Sequence, residues 1–450
     1  MYAVIVGAGE VGFHIATILS QEGHEVAVID RRRESTERAS QELDVLAVLG
    51  NGASRRVLEQ VSMGRADLLV AVTDSDEVNM IACMAAKQVG VPQTIARVRN
   101  PDYIEDKRTL STGFMGVDHV IQPEAAVADE VVKLAGIPGA LDVETFAHGQ
   151  VLVVEVQAAP SSPSLHTPLR GLKLPPGVLV AAVLKVGGEV VIPRGESALE
   201  PGDRVFLSGV PGGVVAAAAT LTGQKETPKR AILLGCGEIG MAVARSLEEK
   251  RVKLTVFEKD AQRAAEAAAA LRRSLVLADE GIDENVLAAE GVADSDLFIA
   301  ATGDDRLNIL TSLLARQMGA RRTIAIVERT EFSRVVESVG VDVAISPRRM
   351  TASAILRFVR SGRVLSAAVL DKAAGELLEF EVGPTSPICD RSLADVDFPS
   401  GAIIGALVSG SEVHIPSGRS LVKEGDLAVV FTLPRSVREV ERLFSPRTAR

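Results

Sequence analysis

The sequence predicts an α/β fold: two tandem units, each a Rossmann-like doubly wound parallel sheet followed by a small β-rich α+β module. Three observations predict it. A glycine motif sits between an apolar strand and a helix at the start of the chain. Short apolar runs then alternate with amphipathic ones, which is the pattern of a parallel sheet with crossover helices. Finally, the whole pattern occurs twice in 450 residues.

The first unit gives the element order. The apolar run at 3–6 ends in glycines and reads as a buried strand. Residues 10–21 place Val11, Ile15, Ile18 and Leu19 on one helical face. Strands are expected at 25–29, 46–49, 68–72, 94–98 and 119–121, with helices at 33–41, 54–61, 77–88 and 101–110 between them. Ser54 is expected as the N-cap of its helix. A further helix is expected from Pro123 to about Leu134, ending at Gly136-Ile137-Pro138. From about 142 to 210 the composition changes. Short strands at 151–156, 179–186, 189–192 and 204–207 are divided by Pro-Pro-Gly, Gly-Gly and Pro-Gly-Asp turns.

The repeat carries this plan into the second half. AVIVGAGEVG at 3–12 returns as AILLGCGEIG at 231–240, and ADLLVAVTDSDEVNM at 66–80 as SDLFIAATGDDRLNI at 295–309. ARVRNPDY at 96–103 faces AIVERTEF at 325–332, and DHVIQPE at 118–124 faces DVAISPR at 342–348. VVIPRGESALEPGDRVFL at 190–207 faces VHIPSGRSLVKEGDLAVV at 413–430. Four segments follow: nucleotide-binding domains at 1–123 and 229–348, and smaller domains at 140–222 and 366–447. The polar stretch 222–229 reads as the linker between halves. The helices that follow Pro123 and Pro347 are the expected contacts between units.

The glycine turns carry the chemistry. Gly7-Ala8-Gly9-Glu10-Val11-Gly12 is G-x-G-x-x-G between a strand and a helix, and Asp30 ends the next strand. In that motif the first glycine makes the tight turn, the second lets backbone approach a pyrophosphate, and the third packs helix on strand. The helix N-terminus offers free N–H groups and the positive end of its dipole to the phosphates. Asp30 suits two ribose hydroxyls and repels a 2′-phosphate. In the second copy the roles fall to Gly235-Cys236-Gly237-Glu238-Ile239-Gly240 and Glu258. Thr73 and Asp74, with counterparts Thr302 and Gly303, follow the fourth strand at the carboxyl edge where ligands sit. Asn51 and Asp279 end the third strands and are expected to line the same crevices. Arg97 on the fifth strand is placed to reach a phosphate, but its partner is Ile326, so the two sites are not equivalent. Arg31, Arg32 and Arg33 are either phosphate ligands or a solvated helix start.

Composition narrows the function. Basic residues number 49 against 59 acidic, for a net charge of −10, and there are two Tyr, twelve Phe and no Trp. An acidic chain with so few aromatics is a poor nucleic-acid binder. The mean hydropathy of +0.22 fits a folded chain. No apolar run approaches the roughly 18 residues that span a bilayer, and the start of the chain reads as no signal peptide. Cys83, Cys236 and Cys389 lie far apart, which fits a reducing cytosol or inert buried thiols. Catalytic groups are not evident. None of the six histidines repeats between halves, there is no HExxH or Walker lysine, and metal-ligand clusters are lacking. Tyr103 and Lys107 match a YxxxK spacing, but Phe332 and Val336 stand in their place in the second copy, so Tyr103 reads as packing. The pattern is that of a nucleotide-binding sensor rather than a catalyst.

The motifs GAGEVG, VTDSDEVNM, ARVRNPDY, LFIAATGDDRLNI, VDVAISPRRMTASAIL and the terminal VERLF resemble the TrkA family, regulatory subunits of Trk potassium-uptake systems. The resemblance runs over essentially the whole chain, and each unit is similar to an RCK domain. It implies a non-enzymatic cytoplasmic subunit, peripheral on the inner face of the membrane, assembled as a tetramer. Its implied partner is an integral-membrane potassium-translocating subunit (TrkH-like), and its implied ligands are NAD(H) and ATP or ADP. Family nucleotide contacts fall on Gly7 through Val11, Asp30, Thr73, Asp74 and Arg97, and in the second copy on Gly235 through Ile239, Glu258, Thr302 and Gly303. Glu10 departs from the polar neutral residue or arginine common at that position, which favours NAD(H) over a triphosphate in copy one. Two other readings stay open. One is an NAD-dependent oxidoreductase with an unrecognised proton donor; the other is a potassium-efflux regulatory unit, although such proteins commonly fuse one RCK unit to membrane helices.

Overall fold

The computed structural model describes residues 1–21, 23–100, 103, 116–224, 227–329, 332, 336, 339–359, 364–369 and 375–445. In the first half β1 (Tyr2–Val6), α1 (Glu10–Gln21), β2 (Glu25–Asp30), α2 (Arg33–Glu42), β3 (Leu46–Leu49), α3 (Arg55–Gln60), β4 (Leu68–Ala71), α4 (Asp76–Gln88), β5 (Gln93–Arg97) and β6 (His119–Ile121) make a parallel sheet of order β3-β2-β1-β4-β5-β6. The strand order reverses between β1 and β4, which opens a crevice at the carboxyl ends of the strands. A parallel sheet must be covered on both faces. Ala3, Val4, Ile5 and Val6 accordingly have no exposed surface.

α5 (Pro123–Gly136) leads into an antiparallel module: β7 (Ala140–Phe146), β8 (Val151–Gln157), β9 (Val178–Leu184), β10 (Val190–Val191), β11 (Arg204–Gly209) and α6 (Pro211–Thr222), in sheet order β10-β9-β11-β8-β7. The second half repeats the large sheet with β12 (Arg230–Leu234), α7 (Glu238–Glu249), β13 (Lys253–Phe257), α8 (Ala261–Ala270), β14 (Leu275–Leu277), α9 (Glu284–Ala289), β15 (Leu297–Ala300), α10 (Asp305–Gln317), β16 (Thr323–Ile326) and β17 (Val343–Ile345). After α11 (Pro347–Val359) come β18 (Val364–Val369), β19 (Glu376–Glu381), β20 (Arg391–Ser392), β21 (Ala402–Ser409), β22 (Glu412–His414), β23 (Leu421–Val422), β24 (Leu427–Thr432) and α12 (Val437–Phe444). The order β18-β19-β24-β21-β22 reproduces the first small sheet strand for strand.

Several expectations need correction. Ser54 stands at the N-cap position of α3, but its side chain makes no cap bond. β7 was not expected, because Asp142 and Glu144 interrupt its apolar pattern. α6 and α12 were not assigned either; each folds an apolar face back on a small sheet. The expected helix at 101–110 and Lys107 lie outside the described residues, Tyr103 excepted. Tyr103 is half-buried, with its hydroxyl donating to Glu77 Oε1 at 2.9 Å.

The two halves are interlocked. α5 leaves the first sheet and packs on α7 of the second, where Val127 and Val131 share a core with Val243 and Leu247. α11 returns the exchange: Ala352 and Ile355 join Ile15 and Leu19 of α1. The expectation that the helices after Pro123 and Pro347 join the units is met within the single chain. The small sheets also pack together. Phe206 and Phe431 lie 5.6 Å apart between ring centroids, and Ala147 N–H donates to Glu379 Oε1 at 2.8 Å. No helix among the described residues is long and apolar enough to cross a membrane.

Arg322 fastens the end of α5. It is buried on the second half and donates Nη1 to the Leu134 carbonyl at 2.5 Å and Nη2 to the Ala140 carbonyl. Burial brings its guanidinium down to about 10, so it stays charged near neutral pH. It satisfies one carbonyl that the end of α5 leaves open, Leu134, and one at the start of β7, Ala140. Arg322→Ala leaves buried acceptors unpaired and is expected to lower the unfolding free energy by about 1–3 kcal/mol. Chemical denaturation measures this, and an unchanged midpoint would show that α5 is held by apolar packing alone.

Candidate functional site

Both glycine turns form as the motif requires. Gly7 and Gly235 have φ of +108° and +91°, where L side chains are strained. A Cβ on Gly12 would lie 1.8 Å from the Gly7 carbonyl oxygen, and one on Gly240 2.1 Å from that of Gly235. These two glycines are demanded by the fold. Gly9 and Gly237 are not. A Cβ on Gly237 meets nothing within 4 Å, and on Gly9 it meets only the tip of Arg32 at 3.3 Å. The space they keep clear lies at the first turns of α1 and α7, whose N–H groups lack intrahelical partners. An empty cradle beside such donors suits a phosphate group.

The strand-ending carboxylates fit the same description. Asp30 is 7% exposed; its Oδ2 accepts from Ala8 N–H at 2.7 Å and its Oδ1 from Arg32 N–H at 2.8 Å. Glu258 repeats this in copy two, accepting from Cys236 N–H at 2.8 Å and Asp260 N–H at 3.0 Å. It also pairs with Arg263 at 2.9 Å. Burial alone would raise the Glu258 carboxyl. The N–H groups of Asp260 and Cys236, with Arg263, hold it below the usual carboxylate range instead. Cys236 is buried, and burial followed by the Glu258 charge pushes its thiol up to about 11, so it stays an uncharged thiol near neutral pH.

Three cavities meet at these turns. The first crevice, about 150 Å³, is lined by Gly7, Gly9, Asp30, Asn51, Thr73 and Asp74, with Arg31 and Arg32. The second, about 430 Å³, is lined by Gly235, Gly237, Glu258, Thr302 and Gly303, with Lys259, Arg263 and Glu280. Between them a shared cavity of about 640 Å³ brings Ala8, Glu10, Val11 and Arg97 to face Glu238 and Ile239 of the other copy. The arginine run divides: Arg31 and Arg32 line the crevice, whereas Arg33 pairs with exposed Glu37 on the helix surface. Two expected positions move. Asp279 closes a turn through Gly281 N–H at 2.8 Å, and its neighbour Glu280 lines the crevice instead. Arg97 faces the shared cavity rather than the first crevice. Its Nε is buried with no hydrogen-bond partner among the described residues, and burial, then Arg99, lowers its pKa. Glu10 is held by Arg38 at 3.0 Å.

The threonine positions depend on residues not singled out from sequence. Asn79 and Asn308 have no exposed surface. Asn79 Oδ1 accepts from Thr73 N–H at 2.9 Å and from its hydroxyl at 2.7 Å, while Nδ2 donates to the Arg97 carbonyl at 2.8 Å. Asn308 repeats all three contacts with Thr302 and Ile326, at 2.9, 2.6 and 2.8 Å. Each asparagine ties the loop after the fourth strand to the end of the fifth. The signal lay in the repeat itself, where NM at 79–80 returns as NI at 308–309.

The shared cavity is not symmetric in charge. Arg99 and Glu124 line it from copy one, and Glu328 and Arg348 occupy the matching positions in copy two. The signs are exchanged. Arg99 leans on Asp74 at 3.9 Å, and Arg348 pairs with Glu328 at 3.1 Å. With Ile326 opposite Arg97, copy one carries the cationic side of the cavity floor.

Comparison with known proteins agrees with this architecture. The TrkA-N domain family model matches residues 3–123 and 231–347, and the TrkA-C domain model matches 153–221 and 377–445. The chain is 38% identical to the Trk system potassium uptake protein TrkA homolog 1 of Methanosarcina mazei, over 99% of this chain and 100% of that protein. It is 37% identical to the Trk system potassium uptake protein TrkA of Azorhizobium caulinodans, over 99% of this chain and 98% of that one. Among solved structures it is similar in fold to the GsuK channel bound to NAD, with a TM-score of 0.62 at 17% identity, covering 98% of this chain and 78% of that one. The GsuK RCK domain gives a TM-score of 0.62 at 18% identity, with 98% and 94% covered.

The glycines separate fold from binding in a testable way. Gly240→Ala forces backbone apart and is expected to cost about 1–3 kcal/mol. Gly237→Ala enters open space and is expected to change stability by less than about 0.5 kcal/mol. Thermal unfolding of the two variants side by side checks the assignment, and equal losses would refute it.

Proposed function

Because the chain belongs to the TrkA family, we propose that it is the nucleotide-sensing regulatory subunit of a Trk-type potassium-uptake system. The observation that carries this reading is the pair of glycine turns facing each other across one shared cavity. Each crevice is walled by its own half and adjoins the shared cavity through its glycine turn, so a ligand that reaches from a crevice into that cavity touches both halves and senses how they sit. In this reading Gly7 through Gly12, Asp30, Asn51, Thr73 and Asp74 hold one adenine nucleotide or NAD(H). Gly235 through Gly240, Glu258, Thr302 and Gly303 hold the second. Asp30 and Glu258 receive ribose hydroxyls, and the cradles at Gly9 and Gly237 receive phosphate. Arg97 supplies a half-buried guanidinium, its Nε unpaired among the described residues, toward the phosphate end of the first ligand. NAD supplies redox chemistry in other proteins; here it acts through binding alone. None of the three cavities is lined by a histidine among the described residues, and Tyr103 is engaged with Glu77.

A ligand shifts a conformational equilibrium only through its different affinity for the two states. Couplings of about 1–3 kcal/mol per site are typical. Swinging a population from 1:99 to 99:1 needs roughly 5.5 kcal/mol, so several sites must act together. Duplication within the chain, and assembly of chains into a tetramer on the cytoplasmic face of a potassium-translocating membrane subunit, supply that number. The domains at 1–123, 140–222, 229–348 and 366–447 are proposed as the moving parts.

Titration of the purified chain with NADH, NAD, ATP, ADP and NADPH by calorimetry tests the reading. Binding of adenine nucleotides is expected, with rejection of NADPH at the Asp30 crevice. A bulky residue at Gly9 is expected to abolish binding in copy one while the melting temperature holds. Unaltered affinity in that variant, or steady oxidation of a small substrate with NAD, would count against the proposal.

A further inference from the structure

A second charged cavity lies away from the nucleotide crevices, where three parts of the chain meet. Its volume is about 310 Å³, and its walls are α5, the first small sheet, and the β17–α11 corner of the second half. α5 contributes Glu130 and Lys133, 3.6 Å apart, with exposed Asp129 at the rim. β7 contributes Asp142 and Glu144, and Glu155 of β8 pairs with Arg204 of β11. Arg349 reaches in from α11. β17 brings only apolar residues, followed by Ser346. Five carboxylates thus face three cations in a half-buried space.

The internal repeat shows that the fold does not need these charges. Aligning Pro347 with Pro123 puts Ala354 in place of Glu130, and Ala125 in place of Arg349. Strand registers extend the match. Asp142 lies opposite Glu155 as Ser366 lies opposite Glu379, and Glu144 is matched by Ala368 in the same register. Arg204 lies opposite Gln157 as Leu427 lies opposite Glu381. Only the Glu155 position keeps its carboxylate, as Glu379. The chain therefore builds the same kind of small-sheet junction twice and places a surplus of negative charge in one of them. Half-buried like charges repel strongly, and one way to relieve them is to hold a proton.

We propose that this junction is a proton-operated latch: a proton held between Glu130 and Asp142, beside the Glu144 carboxylate, lets α5 and the first small sheet close on the second half, and its loss opens them. The electrostatics agree with the geometry. Burial, then Asp142 and Glu144, raise Glu130 to about 8, with Lys133 opposing. Burial also raises Asp142, against the pull of Arg349, Arg204 and Lys133. Arg349 is shared with the far side of α11, where burial and Arg349 lower His14 of α1. The sign follows from linkage. A carboxyl raised in the folded state binds more protons there than in the unfolded chain. Its contribution to closure is complete below the usual value of 4.5 and is lost as pH rises through about 8.

The latch adjoins the nucleotide cavity through its own walls. α5 begins with Glu124 in the shared cavity and carries Glu130 to the junction, and on α11 Arg348 and Arg349 divide in the same way. Proton release is therefore expected to weaken or strengthen nucleotide binding, and nucleotide to shift proton release equally. This link rests on the function proposed above; the latch does not.

The chain contains no tryptophan, so one introduced at Leu141, a half-buried residue of the cavity wall, reports alone. In L141W, emission is expected to shift to longer wavelength between about pH 6 and about pH 9.5, with a midpoint near 8, and to return on acidification. In L141W/E130Q it is expected to stay at the low-pH position throughout. In L141W/D142N the midpoint is expected to fall, because one repelling charge is gone. Emission that is flat with pH in L141W, or an unmoved midpoint in the E130Q background, overturns the proposal. If circular dichroism shows that L141W is unfolded, Met350→Trp on the facing helix takes its place and is judged by the same outcomes. Nucleotide binding is read separately, so a chain that ignores nucleotides but shows the shift sinks the functional reading and keeps the latch.

Discussion

The reciprocal burial of one half's helix in the other half's core is the constraint from which the rest of the structure follows. A parallel sheet cannot leave a face in water. α5 covers α7 and the second sheet, and α11 covers α1 and the first. Neither sheet completes its own core. The two glycine turns are thereby brought face to face, although they are 228 residues apart in the chain. The shared cavity exists because of this exchange, and both α5 and α11 contribute to its walls.

The duplication separates what a nucleotide crevice requires from what this chain has added. Some contacts are retained in both halves with nearly the same lengths. The strand-ending carboxylate accepts from the glycine-turn N–H, and the buried asparagine fixes the threonine loop. Asp76 and Asp305 each accept two backbone N–H groups after the fifth strand. These are the parts that shape the crevice. At the opposite, amino-terminal edge of the sheets, Asp118 and Asp342 each hold a threonine at the start of the fifth strand. Other positions diverge: Arg97 against Ile326, Arg99 against Glu328, and Glu124 against Arg348. They lie where the halves meet, where a symmetric arrangement would set like charges against each other. Exchanging the signs removes that repulsion and makes the two ligand positions chemically unequal.

Much of this was legible from residues alone. The strands β1 and β4 follow from their apolar runs, because strands buried on both faces are uniformly apolar, and α1 follows from the glycine motif and its patterned face; the edge strands β3 and β6, with Leu46 and Leu49 exposed and His119 half-buried, follow from their place in the alternation of strands and helices. The expected contacts of α5 and α11 follow from the repeat and from prolines at the first helical turn. Each miss has its own physical cause. β7 was hidden because its inward-facing acids serve a charged junction rather than an apolar core. The placement of Arg97 was missed because a strand position does not say which cavity a long side chain enters. Asp279 gives way to Glu280 because the strand registers match Val48 with Leu277, which makes Glu280 the counterpart of Asn51, one residue beyond the offset of the glycine turns.

By itself the sequence determined the element order of the large sheets, the duplication, the two glycine turns and the carboxylates that accompany them, since these are written in local patterns and in their recurrence. Only the tertiary structure decided which cavity each side chain faces, that Gly237 is free where Gly240 is not, and that eight ionisable groups from α5, three strands and α11 share one space. Those facts depend on contacts between segments as far apart as Glu130 and Arg349, and separation along the chain carries no record of distance in space.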